Sequence, residues 1–189
     1  MSIERPIAWL KGDYVGKHER QAQATAANCK VAIEFHFNSN GKKATGGETW
    51  YKPGDVFSKN LAADILTRYG NVGLSPHGSG LNAATTDTRA GWLPFYQCDA
   101  VLLEPLFVSN LQQAQWIHDA ANVDALAAEI VAAIGTATSA QDIIGLSIGH
   151  RFKHSNPTDQ GSSCVIGDWE ADHGQALAQS VAALLAPSS

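Results

Sequence analysis

Two short runs of residues constrain the fold most. Residues 100–103 (Ala-Val-Leu-Leu) and 143–148 (Ile-Ile-Gly-Leu-Ser-Ile) are apolar almost without interruption. A strand with one wet face alternates apolar and polar residues, whereas a strand buried on both faces reads as a continuous apolar run. Each run stops at a chemically active group, the first at Glu104 and the second at Gly149-His150. Helical patterns separate the strands. Residues 18–28 are rich in Ala and Gln and free of Gly and Pro. Residues 58–69 space Leu61, Ile65 and Tyr69 along one face, with Ser58 as the expected cap and Gly70 at the end. Residues 122–134 do the same with Leu126, Ile130 and Ile134, between Asn122 as cap and Gly135. Ser109-Asn110 caps a shorter helix, and Asp168 is the expected cap of a long one over 169–185. Strands alternating with helices predict an α/β fold, a mainly parallel sheet with helices on both faces.

Further strands are expected over 6–10, 31–38 and 47–51, and a turn at Pro53-Gly54-Asp55. Residues 71–94 hold no regular pattern and read as a long functional loop. The small, polar stretch Thr136 to Asp142 reads as a linker. With 189 residues the chain is long enough for one domain with a proper core, and 1–189 is read as a single unit. A net charge of −5 argues against a nucleic-acid duplex as partner. No uninterrupted apolar run of 18 residues is present, so no membrane span is expected. Cys29, Cys98 and Cys164 are widely spaced and odd in number, which favours free thiols over a zinc ribbon or a disulfide framework.

The segment 32–39 (Ala-Ile-Glu-Phe-His-Phe-Asn-Ser) alternates strictly. Ile33, Phe35 and Phe37 share one face; Glu34, His36 and Asn38 share the other. A carboxylate, an imidazole and an amide in a row suit the lining of a polar pocket. His36, Glu104 and His150 all fall at or near the ends of expected central strands, where the ligand site of an open α/β sheet lies. Glu170 stands in the first turn of the last helix. Two neutral imidazoles and a carboxylate suit a catalytic Zn²⁺ with one position left for water, and a further carboxylate can take that water's proton. Two His and two Glu therefore suffice for a hydrolytic centre.

In this sequence Glu34-Phe35-His36-Phe37-Asn38-Ser39 and Glu104-Pro105-Leu106-Phe107-Val108-Ser109-Asn110 occur in that order. They resemble the Ser-x-His-x-Asn-like and Glu-x-Gly-Phe-x-Ser-Asn motifs of the zinc-dependent N-acetylmuramoyl-L-alanine amidases of the amidase-3 type. The family's opening strand, running into Gly-His, and its Glu-headed helix resemble residues 143–150 and 167–185, at the back of this chain. The resemblance thus implies a circular permutation, in which residues 135–142 join the family's last helix to its first strand.

By that resemblance His36, His150 and Glu170 would bind zinc and Glu104 would be the catalytic base. Glu34 could compete as a ligand or adjust the charge of the site, and His173, one helical turn after Glu170, is a further possible ligand. Arg89, Asn38 and Glu34 are the candidate substrate contacts, with His77 and Trp92 flanking the groove. Trp50 and Tyr51 read equally as stacking or as core aromatics. The implied substrate is peptidoglycan, cut between the lactyl group of N-acetylmuramic acid and L-alanine. The N-terminus lacks the pattern of a secretory signal, so the expected setting is a phage endolysin, made in the host cytoplasm, monomeric, acting on the wall after release, with a bacterial autolysin as the competing origin. The rival readings are a zinc carboxypeptidase-like hydrolase of wall peptides and a wall-binding module without catalysis.

Overall fold

The computed structural model describes residues 4–186, in which six strands form one sheet. In chain order they are β1 (Ile7–Leu10), β2 (Cys29–Phe35), β3 (Gly47–Tyr51), β4 (Pro76–Ala83), β5 (Asp99–Glu104) and β6 (Ile143–Ile148). Across the sheet the order is β1-β6-β2-β5-β3-β4. Neighbours are parallel except β3 and β5. The two continuous apolar runs become β5 and β6, which flank β2 in the middle of the sheet. Because these three strands are parallel, their carboxyl ends lie at one edge. The chain leaves that edge at His36, Glu104 and His150.

The α/β architecture expected from the sequence is the one observed. The helices are α1 (Glu19–Ala26), α2 (Val56–Tyr69), α3 (Leu111–His118), α4 (Ala120–Ala137) and α5 (Glu170–Leu185). The period of β2 decides what each face meets. Val31, Ile33 and Phe35 join the larger core, formed with α2, α3, α4 and α5. Ala32 joins a smaller core with Leu10, Ala24 of α1, Leu93 and Tyr96. Glu34 follows Ala32 onto this second face.

Helix α4 is long and apolar enough to match a membrane span by composition, with a mean hydropathy of 1.3. Its apolar side, including Leu126, Ile130 and Ile134, lies in the larger core, which accounts for that composition. The three cysteines are free thiols.

Several boundaries differ from the sequence expectation. The cap of α2 is Asp55, whose side chain accepts from Ser58 N–H at 3.1 Å; Ser58 lies inside the first turn. Asp119, not Asn122, caps α4 by accepting from Ala121 N–H at 2.9 Å. Gly135 does not end that helix, which runs to Ala137, so the linker shrinks to 138–142. Asp168 does not cap α5; Trp169 occupies that position, and Asp172 accepts from its N–H at 3.0 Å. Residues 71–94 are not one loop. They contain β4, a strand with Gly78 and Gly80 in the left-handed region (φ 58° and 67°) and little apolar pattern to betray it.

Candidate active site

Three of the expected side chains meet at the carboxyl edge. His36 Nδ1 lies 3.1 Å and His150 Nε2 lies 3.3 Å from the same Glu170 Oε1. One ligand atom from each residue lies within 4.8 Å of the others, as a shared metal ion requires. Glu170 opens α5 and is 4% exposed. Its Oε1 also accepts from Phe37 N–H at 3.2 Å, and its Oε2 from Ser162 N–H at 3.0 Å.

Glycine makes the convergence possible. A Cβ on Gly149 would stand 2.4 Å from His36 Cε1, and one on Gly161 would stand 2.6 Å from Glu170 Oε2. His150 itself has φ 64°, a turn braced from beneath by the fully buried Arg20. The Arg20 guanidinium donates to Ile148 O at 2.7 Å, to Ser147 Oγ at 2.6 Å and to Arg151 O.

Each imidazole has a carboxylate behind it. His150 Nδ1 lies 3.0 Å from both oxygens of Asp159, and His36 Nε2 lies 3.7 Å from Glu34 Oε2. At hydrogen-bond distance Asp159 fixes which nitrogen of His150 carries the proton and which offers a lone pair, whereas His36 Nε2 is buried without a hydrogen-bond partner. Burial would raise the Asp159 carboxyl, but hydrogen bonds from Lys153, Gly161 N–H and His150 bring it down to about 2. Glu34 is fully buried and receives Tyr96 OH at 2.5 Å and Trp92 Nε1 at 2.7 Å. The expected substrate contact at Glu34 therefore fails, because its oxygens are enclosed by protein donors.

The charge balance of the site favours a cation. Burial alone would lower the His36 pKa, but Glu170 and Glu34 outweigh it and raise it to about 9. Burial would likewise raise Glu170, yet its hydrogen bonds with His150 and His36 hold it well below the ordinary carboxylate range. The two buried carboxylates thus favour positive charge at this point of the pocket. A divalent cation fits both this charge and the donor set of two nitrogens and an oxygen.

Glu104, at the end of β5, lines the same cleft of about 300 Å³ with His36, His150 and Glu170. Its Oε2 receives Arg89 Nη2 at 2.8 Å, Trp50 Nε1 at 3.1 Å and Asn38 Nδ2 at 3.4 Å. Burial raises the Glu104 pKa, with the Arg89 charge as the largest opposing influence. Trp50 is thus a donor to Glu104 beneath the cleft. Asn38 also accepts from Arg89 Nη1 at 2.7 Å. Glu48, which pairs across the β3–β5 ladder with Glu104, takes hydrogen bonds from Arg89 and Asn38.

Arg89 and Trp92 line the cleft, as expected of the 71–94 segment. His77 does not; its Nδ1 lies 2.8 Å from Thr45 O and its ring packs on Phe107. His173 is not beside the His36 group either, but lies with Cys164 and Asp168. Sequence reasoning missed Asp159, Glu48, Gly161 and Arg20. The Ser-, Asn- and Thr-rich run around Asp159 carries no period that marks one acid out.

The chain resembles solved structures of the same architecture. It aligns with the N-acetylmuramyl-L-alanine amidase Ami1 from Mycobacterium smegmatis at 18% identity and a TM-score of 0.55, covering 63% of this chain and 58% of that one. The CwlD amidase from Clostridioides difficile, solved in complex with the GerS lipoprotein, aligns at 19% identity and a TM-score of 0.54, over 64% and 62% of the two chains. The catalytic domain of CwlV, an N-acetylmuramoyl-L-alanine amidase from Bacillus (Paenibacillus) polymyxa var. colistinus, aligns at 21% identity and a TM-score of 0.53, over 62% and 63%. The chain thus spans about three-fifths of the length of each of these structures. No curated protein matches it significantly. A family model does: with residues 10–136 matched, two-thirds of its length, this chain belongs to the Amidase_3 family, described as N-acetylmuramoyl-L-alanine amidase.

Proposed function

We propose that this protein is a zinc-dependent N-acetylmuramoyl-L-alanine amidase, hydrolysing the amide between the lactyl group of N-acetylmuramic acid and L-alanine in peptidoglycan. The observation that carries the reading is the convergence of His36, His150 and Glu170, with Glu104 lining the same cleft. Those first three residues would hold the zinc. When bound, the metal lowers the pKa of water and polarises a carbonyl oxygen. The chain's own groups do the rest. Asp159 holds the proton on His150 Nδ1, so that Nε2 offers its lone pair, while Glu34 stands 3.7 Å from His36 Nε2 and supplies negative charge rather than a hydrogen bond. Glu104 acts as general base, taking a proton from the attacking water and passing it to the leaving amine of L-alanine. Trp50, Arg89 and Asn38 gather on Glu104 Oε2, so Oε1 is the oxygen assigned to the water. Arg89, with its side chain 46% exposed at the cleft, can meet a stem-peptide carboxylate.

The proposal includes the chain order. The family match ends at residue 136, yet His150 and Glu170 come from beyond it. Arg5 N–H donates to Leu185 O at 2.8 Å, so the two ends of the described chain meet. Both facts support a circular permutation within a single catalytic domain. A monomeric phage endolysin, made in the host cytoplasm and acting on the wall at lysis, is the setting proposed.

The test is product analysis after digestion of purified peptidoglycan. Stem peptides with a free L-alanine amine, alongside glycan that keeps its lactyl group, are expected. Release of single terminal amino acids would favour the carboxypeptidase reading. Retention on the wall without new amino groups would favour a binding module. Turbidity loss of cells exposed to the purified chain tests the lytic setting.

A further inference from the structure

A second group of metal-ligating side chains lies outside the cleft. Cys164, Asp168 and His173 each offer one atom within 4.8 Å of the others. Cys164 and His173 are each 5% exposed. Asp168 Oδ2 lies 3.1 Å from His173 Nε2 and 3.5 Å from His118 Nδ1, at the last residue of α3. The 3.1 Å approach is not aligned as a hydrogen bond, and His173 Nε2 and Asp168 Oδ1 are both buried without a hydrogen-bond partner. Buried polar groups are nearly always hydrogen-bonded or coordinated, so two such atoms in one cluster call for a ligand.

We propose that Cys164, Asp168, His173 and His118 bind a structural zinc ion, separate from the cleft. The donor set is one sulfur, one oxygen and two nitrogens, and four protein ligands mark a closed, structural site. Metal bonds of about 2.0–2.3 Å place tetrahedral ligand atoms roughly 3.3–3.8 Å apart. The observed separations of 3.1 and 3.5 Å, with the rest of the inner three within 4.8 Å, reach that range after small side-chain shifts. His118, with its side chain 68% exposed, is free to turn inward. Binding displaces the Cys164 thiol proton to solvent and leaves the thiolate on the metal.

The site has a structural consequence. Cys164 and Asp168 bound the turn before α5, where Cys164 N–H donates to Asp168 O at 2.8 Å. Ser162, two residues upstream, holds Glu170 in the cleft through its N–H. A metal here fastens α3 to the turn that presents Glu170. This inference stands on its own residues and does not depend on the cleft's chemistry.

The experiment loads the full chain with Co²⁺ and, separately, with Zn²⁺, removes the excess, and measures metal content and absorption. The wild type is expected to hold about two metals per chain, His150→Ala about one, and His150→Ala/Cys164→Ser none. The thiolate-to-cobalt charge-transfer band is expected in wild type and His150→Ala and absent in Cys164→Ser. The first two proteins leave Cys164 untouched, so the test survives even if Cys164→Ser folds poorly. Absence of the band in wild type overturns the proposal. So does its persistence in a folded Cys164→Ser protein. A band retained in His150→Ala, with no peptidoglycan cleavage by wild type, would uphold this site and sink the amidase reading alone.

Discussion

A Cβ on Gly149 would overlap the His36 ring, with its nearest contact at 2.4 Å, so the position of that imidazole depends on a missing methyl group. Gly149→Ala forces the ring to move, and overpacking of this kind costs about 1–3 kcal/mol. A catalytic group displaced by about 1 Å can cost roughly 100-fold in rate. The expected outcome is a folded protein by circular dichroism that has lost most of its activity and part of its metal. Undiminished activity would remove His36 from the site. Glu104 gives a second prediction. Burial raises its pKa and the Arg89 charge works against that rise. A general base must be deprotonated, so activity falls as pH drops through the Glu104 pKa. Arg89→Ala removes the opposing charge, the pKa rises further, and the acid limb of the kcat/KM profile should move to higher pH. An unmoved limb would assign it to another group. His36, Glu104, His150 and Glu170 were legible in the sequence because each stands where an apolar run or a helix begins or ends. Asp159 was not, since its partnership with His150 is made across a left-handed turn that no local pattern announces.

The same contrast holds for elements. Strands β5 and β6 and helices α2, α4 and α5 announce themselves, because burial on both faces or along a stripe fixes residue type position by position. Strand β4 is an edge strand paired only with β3, with a register shift after Gly47 and two left-handed glycines, so burial imposed little on it. Helix boundaries were misread where two cap residues compete. In α2 the sequence favours Ser58, but Asp55 accepts from both Ser58 N–H at 3.1 Å and Ser58 Oγ at 2.7 Å. Ser58 Oγ in turn accepts from Ala100 N–H at 2.9 Å, so the cap also ties α2 to β5. Asp55→Ala should cost about 1 kcal/mol by loss of the cap. Ser58→Ala should cost more, up to about 3 kcal/mol, because it strands a buried backbone N–H. Urea denaturation measures both, and the reverse ranking would return the cap to Ser58.

At the scale of the molecule, the proposed permutation makes chain order separable from site assembly. β6 lies between β1 and β2 in the sheet whatever connects them, and α5 packs on α4 in the larger core. The ends of the described chain meet at Arg5 and Leu185, while the join between α4 and β6 is a five-residue turn, with Ser139 N–H donating to Asp142 at 2.7 Å. A new chain can therefore open in that turn. It would run from residue 139 to 186, cross a short Gly/Ser linker to residue 4, and end at residue 138. Opening an exposed turn and closing adjacent ends changes loop-closure entropy by only about 1 kcal/mol. The sheet, the metal content and the amidase rate should all survive, the rate to within a few-fold. In this chain His150, Glu170, His36 and Glu104 follow one another in the order of the motifs they resemble. A re-ordered chain that folds but binds no metal would mean that the tether at 139–142 itself shapes the site. One that binds metal and cleaves would mean that the site depends only on where β2, β5, β6 and the start of α5 sit in the fold, since the strands bring His36, Glu104 and His150 to one carboxyl edge and α5 brings Glu170 to them.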